Sequence, residues 1–185
     1  IVLDCDEKYL KVWYNFTNNF NDENPSNIKH NIIYNGNVKK DNDSVYGLSA
    51  KFPGGTSNEI NDKGYLKITE EFNIFDIWKD YGITISLFYK FNESANWCGL
   101  FEFSIDDRHQ DRIALLQNAT NDKLQAIIQI DDTAFTVDIA NNKVLDNKWH
   151  HIVWIIDILG NWIIYVDGLQ ENFNLNCPLP NKFFN

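Results

Sequence analysis

Apolar and polar residues alternate with period two along most of the chain. This spacing turns one face of a β-strand toward a core and the other toward water. Ile83-Thr-Ile-Ser-Leu87 shows it cleanly, and residues 123–130 keep it over most of their length. Further strands are predicted over 12–16, 31–34, 46–52, 65–69, 100–105, 112–116, 134–139, 150–157 and 162–167, all rich in β-branched or aromatic residues. Turn formers separate them, among them Pro53-Gly-Gly, Asn61-Asp-Lys-Gly64, Asp131-Asp132, Asn141-Asn142, Leu159-Gly-Asn161 and Asp167-Gly168. Only 70–79 reads as a short helix or helical turn, and 18–42 reads as a polar loop. Many short strands with regular turns imply an antiparallel sandwich or barrel. The expected inner faces hold Ile85, Leu87, Phe101, Phe103, Trp149, Trp154, Ile156, Ile163 and Tyr165.

Composition narrows the choices. A chain of 185 residues with 44% hydrophobic positions builds one sizeable core, so 1–185 is read as a single domain. Its 26 Asp plus Glu outnumber 16 Lys plus Arg, for a net charge of −10. That balance excludes nucleic acid and anionic membrane as partners, since both need a basic face. No apolar run reaches the roughly 18–20 residues of a membrane span, and no signal peptide is recognised. The start at Ile1 and the lack of Met read as a trimmed piece of a longer product. Asn, about one residue in seven, is read as a genomic base-composition bias.

Cys5, Cys98 and Cys177 are too few for a disulfide framework and form no zinc motif. Cys98 opens an apolar run and is expected to be a buried small hydrophobe, whereas Cys5 and Cys177 would form a bridge only if the termini meet. Sequons place candidate glycans on Asn15, Asn42, Asn92 and Asn118, a mild pointer to secretion in so Asn-rich a chain. Asn15 falls in a predicted strand, where a glycan fits poorly.

The segment Asp146-Asn-Lys-Trp149-His150-His151-Ile-Val-Trp-Ile-Ile-Asp157, followed by Asn161-Trp-Ile-Ile-Tyr-Val-Asp167-Gly168, resembles the laminin-G-like (LamG) domains of the concanavalin A-like lectin/glucanase superfamily. Other pieces follow in that family's order. Leu10 to Phe16 looks like its opening strand, and Asn21-Asp22-Glu23 to His30-Asn31 like a degraded form of its Asp/Ser/Gly/Asn/His loop. Tyr46 to Phe52, Gly64 to Ile68 and Ile83 to Lys90 look like the strands that come next. The resemblance implies a jelly-roll β-sandwich of two antiparallel sheets. Two departures stand out: Pro25, Ser26, Ile28 and Lys29 replace the loop's glycines, and the family's closing strand is missing before Asn185. That strand is therefore expected from outside this fragment or from another chain.

Candidate chemistry is sparse. Adjacent strand residues point to opposite faces, so His150 and His151 cannot share one metal or substrate atom. One is expected inside with a backbone partner and the other at the surface. The glucanase branch carries its carboxylates on one strand, and the nearest match here is Glu102 with Asp106. Four residues of strand put those about 13 Å apart, beyond the roughly 5–9.5 Å of working pairs. No Ser or Cys nucleophile with a credible His base and no phosphate-binding loop is recognised in the sequence. The resemblance implies a rim calcium site at Asp131 and Asp132, with Asp22 as a weaker candidate. Turn chemistry alone is the somewhat stronger explanation of the first two. The expected function is a non-catalytic recognition or adhesion module for glycan or protein ligands, in a larger extracellular or particle-surface protein. The rival is a structural assembly domain packed against neighbouring chains, and a degenerate glucanase is the weaker third.

Overall fold

A computed structural model describes residues 14, 30, 32–45, 47–53, 64–68, 80–92, 98–104, 111–118, 123–139 and 146–171. The chain packs as two compact units, Ile1–Phe72 and Asn73–Asn185.

In the first unit, β1 (Ile32–Asn35) pairs antiparallel with β4 (Tyr65–Ile68), and β2 (Lys39–Asp41) with β3 (Ser49–Lys51). β2 lies inside the stretch read as loop. Its Lys-Lys-Asp sequence has no apolar alternation to betray it, and cross-strand polar contacts hold it instead. Lys51 Nζ sits 3.0 Å from an Asp41 carboxylate oxygen, and Ser49 Oγ donates to the Asp43 carbonyl at 2.7 Å. A β-carbon on Gly64 would lie 2.8 Å from Val38 Cγ2 and 2.9 Å from Pro53 Cδ, so only glycine admits that approach.

The second unit is a sandwich of two four-stranded antiparallel sheets. One runs in the order β12 (Leu169–Gln170), β11 (Trp162–Val166), β10 (His150–Ile156), β5 (Ile83–Tyr89). The other runs β6 (Gly99–Ser104), β7 (Arg112–Gln117), β8 (Leu124–Ile130), β9 (Thr133–Ile139). The all-β sandwich expected from the alternation is therefore the observed fold. Asp80 and Tyr81 are helical, next to the expected helical turn over 70–79, which itself lies outside the described residues. A β-carbon on Gly82 would meet the Ile156 carbonyl oxygen at 2.7 Å, and its φ of 72° is left-handed, so glycine is required where β5 begins.

Register fixes the core. Ile152, Trp154 and Ile156 of β10 face inward, opposite Leu87, Ile85 and Ile83 on one side and Val166, Ile164 and Trp162 on the other. Trp154, 1% exposed, meets the Phe101 ring across the sandwich at 6.2 Å and the Trp162 ring edge-on at 4.9 Å. β7 is buried from Ile113 to Gln117, as a continuous apolar run predicts, and Ala114, Leu116 and Ile127 form a second cluster on its other face.

Three core expectations need correction. Ile163 and Tyr165 lie on the outer face of β11, while Trp162, Ile164 and Val166 point inward. Every residue of β11 is apolar or aromatic, so alternation carries no sign there and only pairing with β10 sets the face. Trp149 precedes β10 and is half-buried.

Candidate functional site

A densely bonded polar cluster of the second unit stands at the start of β10. His150, 6% exposed, belongs to the inner face with Tyr89 opposite, their ring centroids 5.6 Å apart. Its Nδ1 lies 2.8 Å from Asp167 Oδ2 and its Nε2 lies 2.9 Å from Asp146 Oδ1. The expected backbone partner is thus replaced by two carboxylates. Asp167 and Gly168 form the two-residue turn between β11 and β12, with φ of 52° and 80°. Left-handed angles at both positions are what Asp-Gly supplies in a hairpin whose strands keep their natural twist. The turn aims Asp167 back at β10, where its Oδ1 also accepts the His151 N–H at 3.0 Å. Asp146 lies in the turn before β10 and accepts the Lys148 N–H at 3.0 Å.

An imidazole facing carboxylates through both nitrogens can satisfy them only with both N–H groups present, as the cation. Burial alone pushes the His150 pKa down, but hydrogen bonds and charge from Asp167 and Asp146 outweigh it and hold the pKa above the usual imidazole value. The same contact holds the Asp146 carboxyl below the ordinary range. Burial, reinforced by Asp167, Asp146 and Glu171, pushes the Tyr89 phenol well up, so it stays neutral.

His151 lies on the opposite, outer face. Its ring stacks on Phe88 at 4.5 Å, and its Nε2 lies 2.8 Å from Ser86 Oγ. Phe88 is 44% exposed. Val153, Ile155, Ile163 and Tyr165 continue this face, half-buried. The outward positions of β5, β10 and β11 carry no carboxylate, in a chain of net charge −10. Sequence reading missed the Ser86–His151 pair because 65 residues separate its members and strand register alone joins them. The Asp167 oxygens hold the His151 main chain and the His150 ring.

The other candidates fall as follows. Asp131 and Asp132 form the exposed β8–β9 turn, Asp131 at φ 47°. The Asp131 N–H donates to Asp111 Oδ1 at 2.7 Å, and its carbonyl accepts Gln129 Nε2 at 3.3 Å. Among the described residues no group of three or more His, Cys, Asp or Glu could hold a metal ion. Glu102 lies 3.5 Å from the Arg112 guanidinium, which also donates to Gln129 Oε1 at 3.1 Å. Asn42 and Asn92 are exposed. Asn118 is buried, with its amide nitrogen donating to Asp138 Oδ1 at 3.2 Å. Cys98 is a half-buried free thiol whose pKa burial pushes up, a poor nucleophile. Asp22, Asn15, Cys5, Cys177, Asp106 and the expected gap left by the closing strand lie outside the described residues.

The chain belongs to the concanavalin A-like lectin/glucanases superfamily, whose laminin-G-type profile matches residues 61–176. No curated protein sequence matches it. Among solved structures it is similar to the binding domain of botulinum neurotoxin DC in complex with rat synaptotagmin II, at 17% identity and a TM-score of 0.64 over 87% of this chain. It is also similar to HCR/D-Sa-GBL1/C, at 15% identity and a TM-score of 0.63 over 87% of this chain. The match covers 38% of each of those chains.

Proposed function

We propose that this sandwich is a non-catalytic recognition module that holds a glycan or protein ligand, within a larger extracellular or particle-surface protein. The observation that carries the reading is the outer face around Phe88, whose outward positions on β5, β10 and β11 carry no carboxylate. It combines a half-exposed ring with a hydroxyl and an imidazole 2.8 Å apart. Aromatic rings flanked by hydrogen-bonding side chains suit sugar rings and neutral protein segments alike, since both offer apolar surface edged with hydrogen-bonding groups. Supporting it, one structural neighbour is a binding domain in complex with a protein.

The test is a glycan array run beside a panel of immobilised extracellular proteins, with reducing-sugar release measured on every glycan bound. Saturable binding without release supports the proposal. Turnover, or binding in neither format, overturns it.

A further inference from the structure

The His150 cluster ties two turns to the outer face. Asp167 uses one oxygen on the His150 ring and the other on the His151 N–H, so a single carboxylate sees both histidines. The Asp167 N–H in turn donates to the His151 carbonyl at 2.9 Å. The His151 ring is the one stacked on Phe88 and bonded to Ser86. We infer that His150 is a positioning residue: a buried imidazolium cross-links the Asp146 and Asp167 turns, and loss of its proton shifts Asp167 and, through it, the His151–Phe88 face.

The electrostatics around the ring are one-sided. Asp146 approaches from the turn before β10 and Asp167 from the β11–β12 turn. Tyr89 of β5 faces the ring as a neutral phenol. Glu171, just past β12, adds negative charge near Tyr89. Lys148 brings positive charge to the cluster, its Nζ 3.6 Å from Asp146. Neutral His150 keeps one N–H, so one of its nitrogens must turn a lone pair on a carboxylate 2.8–2.9 Å away. That repulsion is relieved by displacing a carboxylate, since strand pairing holds the His150 backbone opposite Tyr89 and burial leaves its ring little room. Movement of the Asp146 turn breaks its Lys148 contacts. Movement of Asp167 releases the His151 N–H and reaches the outer face.

The consequence for ligand binding rests on the recognition role proposed above. The test needs no ligand, so the two stand or fall separately. NMR titration of isotope-labelled protein from pH 5 to 10 would follow the His150 ring, the His151 amide and the Phe88 ring. His150 is expected to titrate above the roughly 6.5 of free imidazole, with the other two signals moving at the same midpoint. Asp146→Asn, at an exposed position, should weaken the proton affinity of His150 about tenfold and shift all three midpoints together. Asp167→Asn should do the same and also displace the His151 amide at every pH. A His150 midpoint at or below about 6.5 would overturn the inference. So would His151 and Phe88 signals that ignore both substitutions.

Discussion

Replacing Trp154 by Ala removes the side chain that joins the two sheets. The ring is 1% exposed and touches Phe101 on β6 and Trp162 on β11. Burying about 200 Å² of aromatic surface at about 25 cal/mol per Å² contributes up to about 5 kcal/mol. The two ring contacts add roughly 0.5–1.5 kcal/mol each, and Ala recovers only a small part. One effect opposes these: among the described residues, Trp154 Nε1 is a buried donor with no hydrogen-bond partner, and its deletion returns about 1 kcal/mol or more. The net loss is about 3–5 kcal/mol, the usual range for truncating a core aromatic. With a urea slope of about 2 kcal/mol per M, the unfolding midpoint should fall by about 1.5–2.5 M by far-ultraviolet circular dichroism. A loss below about 1 kcal/mol would mean that the ring does not bridge the sheets, and the register assigned to β10 would be wrong.

Trp149→Ala, at a half-buried site before β10, should cost clearly less, about 1–2 kcal/mol in the same assay. Stability should also follow pH with a defined sign. The raised His150 value stabilises fully below about pH 6.5 and is lost as pH rises through the folded value. The Asp146 carboxyl, lowered by His150, and the Asp157 carboxyl, lowered against burial by hydrogen bonds from Asn161 and Leu159, stabilise above about pH 4, and that is lost on acidification. Urea midpoints should therefore plateau between about pH 4 and 6.5, and a maximum at pH 9 would contradict the double-carboxylate cage. For calcium, we propose weak, diffuse attraction at the Asp131–Asp132 turn. Calorimetry at physiological salt should show the same heats for wild type and Asp132→Asn, and saturable one-site binding lost in the variant would reverse that view.

What the sequence disclosed depended on whether alternation carried a sign. β5 mixes Ile and Leu with Thr and Ser, so its inward face was readable. β11 reads Trp-Ile-Ile-Tyr-Val, and nothing within that string distinguishes its faces. β2 was invisible because cross-strand polar contacts hold it and no apolar stripe marks it. The motif around Trp149-His150-His151 and Asp167-Gly168 revealed the family, yet the carboxylate cage emerged only from pairing. Asp146 is four residues from His150, but Asp167 is 17 away and meets it only because β11 folds back on β10. The Ser86–His151–Phe88 face was hidden for the same reason, since its members sit on strands separated by more than sixty residues.

The recognition reading stands most directly on Phe88. Titration calorimetry of a ligand selected on the array or the protein panel should be run on wild type and Phe88→Ala, with thermal melts in parallel. An aromatic anchor at the centre of a binding face contributes more than about 1.4 kcal/mol, so the account predicts at least a tenfold loss of affinity with a melting temperature close to wild type. Equal affinity in the two proteins would contradict it and move the ligand to another part of the molecule.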